Sequence, residues 1–192
     1  MNNALEGLKI GLDIDGVVGD FTRSIFRELR KNGLVPYDCI DDPELVTSWD
    51  FGPHFSNEFE TFWKGLSESQ HNSFLHMMDK LDHPPFMPTA YISAREAPVV
   101  ISNVWIKRVK LPKAPVFHNK NKLEVIKNLK INLFVDDKPE YFHEINKAGI
   151  VCLLRDQPYN RHIDAGPYRI KSLDEVEPAI NRIFYDNLYV TA

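Results

Sequence analysis

The stretch Leu12-Asp-Ile-Asp-Gly-Val-Val18 decides how this chain folds and where its chemistry lies. It closes a mostly apolar run that begins at Leu8 and is typical of a short buried strand. Side chains alternate across a strand, so Asp13 and Asp15 lie on one face and the residue between them on the other. Gly16 then permits a sharp turn out of the sheet. The pattern predicts two carboxylates together at the carboxyl end of a buried strand.

The two acids need a physical reason to lie together. Neighbouring carboxylates repel one another and lose hydration on burial, unless a cation lies between them or they share a proton. A turn or a helix cap is the alternative role, but a cap uses one acid and leaves the other unexplained. We therefore interpret Asp13 and Asp15 as functional carboxylates.

A second acidic pair, Asp136-Asp137, follows the apolar run from Leu133 to Val135. The carboxyl ends of parallel strands meet along one edge of a sheet, where ligands bind. Carboxylates from two such strands form a cluster of oxygen ligands that suits Mg²⁺ better than zinc or copper. The alternative for this pair is an N-cap before a helix that begins at Pro139.

Two further side chains are expected at the same edge. Ser93 ends the run that begins at Ala90, and its hydroxyl could donate to a phosphate oxygen, although a serine there commonly serves a turn. Lys122 lies at the start of a predicted helix, where its ammonium could reach the acids and a bound phosphate. Lys120 competes for that role, and the residues alone do not choose between the two lysines.

The order of these features resembles the four motifs of the haloacid dehalogenase superfamily of phosphohydrolases. The acid-x-acid, hydroxyl, lysine and acid-pair motifs match, in turn, Asp13 and Asp15, Ser93, Lys122, and Asp136 with Asp137. The resemblance covers nearly the whole chain. Residues 13–21, 136–140 and 158–161 are similar to the 5'(3')-deoxyribonucleotidase family and its bacterial and viral relatives.

The resemblance implies a mechanism as well as a fold. Asp13 would attack phosphorus and form an aspartyl-phosphate, and Asp15 would protonate the leaving alkoxide and then deprotonate water. Mg²⁺ would be held by Asp13, the backbone carbonyl of Asp15, and Asp136, with Asp137 supporting the metal from behind. Phosphate contacts are implied for Ser93, Ala94 and Lys122.

Substrate contacts are expected from Phe21, Trp49 and Arg95. Arg95 marks a departure from the family, because Ser93-Ala94-Arg95 stands where the best-known deoxyribonucleotidases have Thr-Ser-Pro. Its guanidinium either contacts the substrate or pairs with surface acids. The sequence therefore leaves open which nucleotide is preferred, and also whether the substrate is a nucleotide at all.

The remaining pattern predicts an α/β fold, namely a Rossmann-like parallel sheet with helices on both faces. Residues 35–88 lack strand-like runs and are dense in aromatic residues, which predicts a small helical cap inserted after the first strand and helix. The expected division is a core of residues 1–34 and 89–192 and a cap of residues 35–88. Near the C-terminus, Ser172-Leu-Asp-Glu175 is a capping-box pattern that predicts a helix start.

Composition excludes several classes of protein. With 43% hydrophobic and 26% charged residues, the chain is neither disordered nor fibrous. Its apolar runs are too short to cross a bilayer, and the residues at its start lead us to expect no secretion signal. Cys39 and Cys152 are far apart and make no disulfide framework, so we expect a cytoplasmic protein.

Charge bears on partners and on alternative functions. The net charge of −4 argues against a stable nucleic-acid partner, although residues 107–130 carry eight basic residues and one acid. That segment is either a solvated surface or a positive rim that attracts phosphorylated substrates. The expected substrate is a nucleoside monophosphate. The alternatives are a phosphatase for another small phosphomonoester or a nucleic-acid end, and a non-catalytic module that binds Mg²⁺ or a nucleotide.

Overall fold

A parallel sheet organises the part of the chain that the computed structural model describes, which is residues 5–31, 44, 46–47 and 65–184. The strands in chain order are β1 (Ile10–Leu12), β2 (Gly19–Asp20), β3 (Asp79–Lys80), β4 (Ala90–Ser93), β5 (Val116–His118), β6 (Leu133–Asp136), β7 (Val151–Arg155) and β8 (Arg169–Ile170). Six of them form the main sheet, in the order β5-β4-β1-β6-β7-β8. Its five pairings are all parallel, as the sequence predicts.

Helices cover both faces of this sheet. They are α1 (Phe21–Lys31), α2 (Glu68–Met77), α3 (Val99–Arg108), α4 (Lys122–Leu129), α5 (Pro139–Lys147) and α6 (Val176–Phe184). Short 3-10 helices span Pro158–Asn160, Gly166–Tyr168 and Leu173–Glu175. Trp105 of α3 and Ile180 of α6 belong to one buried cluster, whereas Ile126 of α4 and Ile145 of α5 belong to the other. The α/β fold with helices on both faces is thereby confirmed.

Alternation along the central strands divides the core between the two faces. In β6, Leu133 and Val135 pack into the first cluster and Phe134 into the second. A β-carbon at Gly11 would lie 2.8 Å from the ring of Phe134, so β1 leaves room for that ring. The close packing aligns the ends of β1 and β6, which pair from Ile10 with Leu133 onward. The residues that follow both strands therefore meet at one edge.

The structure corrects two local predictions. The sequence predicts no strand in the segment 35–88, yet β3 pairs antiparallel with β2 and joins Asp79 to Asp20. Ser172 makes no capping hydrogen bond through its side chain, and the Glu175 side chain accepts a hydrogen bond of 2.8 Å from the backbone of Lys171 rather than from that of Ser172. The chain first makes a 3-10 turn there, and the α-helix begins at Val176.

The predicted cap lies largely outside the described residues, so the division into core and cap stays a prediction. Its described part includes α2, which begins at a capping box between Ser67 and Gln70. Phe74 and Leu75 are buried on this helix, and Met78 is buried just after its end. None of the helices in the described part has the length and hydropathy that a membrane crossing requires.

Candidate functional site

The carboxyl ends of the central strands surround a cavity of about 350 Å³. The described residues that line it are Asp13, Asp15, Ser93, Ala94, Arg95, Lys120, Lys122, Asp137, Lys138 and Tyr141. These residues come from four separate segments of the chain, each at a strand end or at the start of a helix. The structure thus brings together the acids, the hydroxyl and the lysine that the sequence singled out.

Lys122 lies at the centre of the site. Asn121 caps α4 by accepting a hydrogen bond from the backbone of Glu124, so the helix begins at Lys122. The side chain is 1% exposed, and its Nζ lies 2.8 Å from Asp13 Oδ2 and 2.7 Å from Asp136 Oδ2. Burial opposes the charged form, but the two carboxylates outweigh it and raise the pKa of Lys122 above its ordinary value. Lys122 therefore stays an ammonium ion that bridges two acids.

Lys120 has a different environment. Its side chain is 70% exposed and pairs with Glu96 at the mouth of the cavity. Its Nζ is hydrogen-bonded to that glutamate, which raises the pKa of Lys120. Of the two candidate lysines, Lys122 is the one that contacts the buried acids.

Three buried carboxylates meet beside Lys122. Oxygen atoms of Asp13, Asp136 and Asp137 lie within 4.8 Å of one another. Burial raises the pKa of Asp13 to about 7. The positive charge of Lys122 lowers this pKa, and the negative charge of Asp136 raises it further. Burial and the same repulsion raise the pKa of Asp137 well above its usual range. Because one lysine cannot balance three carboxylates, this cluster could hold a metal ion.

Asp137 supplies the most direct sign of a ligand. Its Oδ2 accepts a hydrogen bond from the hydroxyl of Tyr159, whereas its buried Oδ1 has no hydrogen-bond partner among the described residues. An unpaired buried acceptor costs about 1–3 kcal/mol, so such atoms call for an explanation. A cation bound by the cluster would satisfy this oxygen, and the residues present therefore fit a metal.

Gly16 makes room for this arrangement. Its φ of +71° is a conformation that favours glycine, and a β-carbon there would collide with Asp137 Oδ2. Its carbonyl accepts a hydrogen bond of 2.7 Å from the Gln157 side chain. The glycine after the two acids thus allows both the turn and the close approach of Asp137.

Gly16→Ala is expected to destabilise the protein by about 2 kcal/mol or more beyond Gly149→Ala. Gly149 is a matched control because its φ is +78° and a β-carbon there would have no neighbouring atom within 4 Å. Both changes therefore add backbone strain, of about 1–2 kcal/mol, but only the first adds a collision with Asp137. Denaturant unfolding of both variants measures the difference, and equal losses would contradict the close approach of Asp137 to Gly16.

Asp15 lines the cavity but does not belong to the cluster of three buried acids. Both of its oxygens accept hydrogen bonds from Arg95, from Nε at 2.8 Å and from Nη2 at 2.5 Å. The hydroxyl of Ser93 donates to Asp15 Oδ2 at 3.3 Å. Of the two roles that the sequence leaves open for the Arg95 guanidinium, the structure therefore shows pairing with an acid, and that acid belongs to the site itself.

Three residues remain from the predicted substrate and phosphate contacts, namely Phe21, Trp49 and Ala94. Phe21 begins α1 and packs edge-to-face on Phe74, with ring centroids 5.6 Å apart, and it is not among the described residues that line the cavity. Trp49 lies outside the described residues. Ala94 lines the cavity between Ser93 and Arg95.

Sequence reasoning missed several supporting residues. The Tyr141 ring lies 4.3 Å from Lys122 Nζ, and Tyr159 holds Asp137 from a 3-10 helix 22 residues along the chain. Tyr159 lies within residues 158–161, which the sequence singled out only as a family resemblance. Asn160 donates to the carbonyl of Asp137 at 2.8 Å. Nothing in the spacing of these residues indicates that they contact the site.

No protein-family model matches the chain, and no curated protein matches its sequence. Its function must therefore be inferred from the residues of the cavity and their geometry.

Proposed function

We propose that the chain is a Mg²⁺-dependent phosphomonoester hydrolase of the haloacid dehalogenase type, acting on nucleoside monophosphates through an aspartyl-phosphate. One observation carries the proposal: an ammonium, Lys122, lies buried between Asp13 and Asp136 at the base of a cavity. A phosphate dianion can approach a carboxylate nucleophile only where positive charge offsets their repulsion. Lys122 supplies such charge beside the attacking group.

Asp13 is the nucleophile in this proposal. Its Oδ2 contacts Lys122, and its Oδ1 accepts a hydrogen bond of 2.7 Å from the backbone of Ile14, so the carboxylate is held firmly. An oxygen of Asp13 forms a bond to phosphorus while the bond from phosphorus to the substrate oxygen breaks. Asp15 donates a proton to that oxygen, and it later accepts one from the water that releases phosphate.

The metal would be held by the same buried acids. Asp13 and Asp136 are the expected side-chain ligands, together with the backbone carbonyl of Asp15, and the unpartnered Oδ1 of Asp137 supports a further contact or a position close behind the ion. Bound there, Mg²⁺ offsets the repulsion between the carboxylates and the phosphate dianion. Lys122 and Ser93 would donate to the phosphoryl oxygens.

The leaving group would be selected by the segment 35–88, as the helical cap of this superfamily. Its many aromatic residues favour a flat or apolar group such as a nucleobase. The buried free thiol of Cys152 accords with a reducing compartment, and we include a cytoplasmic location in the proposal.

The decisive experiment measures phosphate release from 5'- and 3'-nucleoside monophosphates, sugar phosphates and a phosphorylated oligonucleotide, each with and without Mg²⁺. Release from mononucleotides that requires Mg²⁺ would support the whole proposal. Release from sugar phosphates or the oligonucleotide alone would keep the mechanism and exclude the nucleotidase assignment. No release from any of these substrates would favour a non-catalytic binding module.

Mg²⁺ is expected to stabilise the protein more at pH 8 than at pH 5. Asp13 titrates at 3.8 in the unfolded chain and at about 7 in the folded protein, so the folded state holds the extra proton between these values. Stability without metal therefore falls as the pH rises through this window. Metal binding needs the carboxylate, so one proton weakens Mg²⁺ affinity roughly 100-fold at pH 5.

Thermal unfolding with and without Mg²⁺, at both pH values and constant ionic strength, measures this effect. The rise in Tm on adding Mg²⁺ should be much the larger at pH 8. An equal or larger rise at pH 5 would show that Asp13 is not a ligand of the metal.

A further inference from the structure

We infer that Arg95, Ser102 and His118 form a positioning chain that fixes the carboxyl group of Asp15, which in its protonated form donates to the leaving group. The inference rests on the proposed function, because Asp15 has a leaving group to protonate only in that reaction. Ser102 and His118 do not appear among the described residues that line the cavity. They would act through Arg95 and without touching the substrate.

The first link of this chain joins Arg95 to Asp15. The guanidinium presents Nε and Nη2 to the two carboxylate oxygens, which is the forked geometry that holds a carboxylate in one orientation. The Arg95 side chain is only 5% exposed, whereas Asp15 is 16% exposed and lines the cavity. Arg95 also lines the cavity, but it is the more enclosed of the two side chains and leaves Asp15 accessible to a ligand.

The second link joins Arg95 to Ser102 and His118. Arg95 Nη1 donates to Ser102 Oγ at 2.8 Å, and Ser102 Oγ lies 2.9 Å from His118 Nε2. His118 Nδ1 lies 2.6 Å from the carbonyl of Ala97. A carbonyl can only accept, so Nδ1 carries the hydrogen and Nε2 accepts the hydroxyl of Ser102. The oxygen of Ser102 is thereby turned toward Arg95.

Each hydrogen bond in the chain has a defined donor: Arg95 donates to Asp15 and to Ser102, Ser102 donates to His118, and His118 donates to the carbonyl of Ala97. Burial, and then the nearby Arg95, lower the pKa of His118, which favours the neutral ring that this assignment requires. The links come from three elements: the loop after β4, helix α3 and strand β5. The Trp105 ring centroid 6.0 Å from the guanidinium and Met78 Sδ at 3.5 Å enclose Arg95 further. Asp15 is therefore anchored to the sheet through Arg95.

A proton donor matters in proportion to how poor the leaving group is. A nucleoside 5'-monophosphate loses an alkoxide and needs the proton, whereas p-nitrophenyl phosphate loses a stable phenolate and does not. A positioning role for Arg95 therefore predicts selective damage to the first reaction. A structural role predicts equal damage to both, because both use the same folded enzyme.

The test measures release of the leaving group in the first turnover, which isolates the step in which Asp15 acts as an acid. Arg95→Ala is expected to slow release from the nucleoside monophosphate about 100-fold. Release from p-nitrophenyl phosphate should change less than about threefold, with KM for both substrates nearly unchanged. Ser102→Ala and His118→Gln should shift the ratio of the two rates in the same direction, each by about tenfold or less.

Two features keep the test decisive if a variant folds poorly. The ratio of the two rates comes from one preparation, so it does not depend on the fraction of active protein. Added guanidinium ion should restore the alkoxide reaction of Arg95→Ala and leave the phenolate reaction unaffected. Ser172→Ala, outside both the cavity and the segment 35–88, is the control serine variant and should leave both rates unchanged, because its side chain makes no capping hydrogen bond.

The outcomes separate this inference from the proposed function. If the wild-type protein releases neither leaving group, the proposed function fails and the inference fails with it. If the wild type releases both and Arg95→Ala slows both equally, the hydrolase assignment stands and the positioning chain is overturned. A rise in KM for both substrates would instead make Arg95 a phosphate contact, and an unchanged ratio in Ser102→Ala would remove Ser102 and His118 from the chain.

Discussion

Asp13→Asn is expected to reduce phosphate release by at least about 10⁴-fold while the protein stays folded. An amide oxygen is a far weaker nucleophile than a carboxylate, so the aspartyl-phosphate cannot form. The fold should survive, because the single amide oxygen can still accept from one of the two donors that Asp13 engages, the backbone of Ile14 or the ammonium of Lys122. Lys122 also keeps its contact with Asp136 at 2.7 Å.

The variant also removes one of three crowded carboxylates. Burial raises the pKa of Asp13 to about 7, so ionising this carboxyl costs more free energy in the folded protein than in the unfolded chain. The neutral amide escapes this cost, and the variant should lose less stability than the wild type as the pH rises from 5 to 8. Loss of activity without loss of stability is the combination that identifies a catalytic group.

Phosphate release with Mg²⁺, together with denaturant unfolding, checks both expectations on one preparation. Asp174→Asn is the matched control, since Asp174 is exposed and lies far along the chain in the 3-10 helix before α6. Mass spectrometry must exclude deamidation of the new asparagine back to aspartate. Release at the wild-type rate by intact Asp13→Asn would refute the nucleophile assignment.

The fold was predictable wherever local pattern and burial agree. The strand predicted to end at Ser93 and the one that precedes Asp136 are each found within a residue of their expected bounds, because alternating side chains pack into two separate clusters. The pairing of β2 with β3 was not predictable, because each strand has only two residues. Met78, just before β3, is buried, and its carbonyl accepts a hydrogen bond from the indole of Trp105, a contact between residues far apart in sequence.

The capping box at Ser172 illustrates the opposite error. The residue types fit the motif, but the Glu175 side chain bonds to the backbone of Lys171, one residue earlier than the motif requires. The residue types of a local motif are compatible with several hydrogen bonds, and the tertiary structure determines which of them forms.

The location of the acids at one edge was predictable, because the strand ends of a parallel sheet converge. The partners that their carboxylates contact were not predictable. Asp13 and Asp15 both line the cavity, but one contacts Lys122 and the other contacts Arg95, and this difference follows from long-range contacts. Tyr159 and His118 reach the site or its surroundings from distant elements, so no spacing along the chain could indicate them.

The choice between Lys120 and Lys122 is the clearest case that the sequence left open. Both lie near the start of the same predicted helix, two positions apart and with the same charge. The cap formed by Asn121 begins α4 at Lys122, and this lysine contacts the acids while Lys120 remains at the cavity mouth. A two-residue difference in position therefore becomes a difference between a buried and an exposed charge.

Lys122→Ala is accordingly expected to be far more damaging than Lys120→Ala. Removing the buried ammonium leaves Asp13 and Asp136 without their cation, and breaking a buried pair from one side costs about 3–5 kcal/mol. Activity should fall about 10³-fold, since the phosphoryl group loses a positioned positive charge. Lys120→Ala should change both quantities little, because its pair with Glu96 is exposed and screened by solvent.

Measurements with added Mg²⁺ distinguish a structural role of Lys122 from a catalytic one. A divalent cation in the acid cluster offsets the charge that the variant leaves unbalanced, so adding Mg²⁺ should raise the Tm of Lys122→Ala more than that of Lys120→Ala. Activity should not recover with it, because the metal cannot replace the donor on the phosphoryl oxygens. Equal losses in the two variants, or the reverse order, would contradict the catalytic role of Lys122. The proposed function depends on that role.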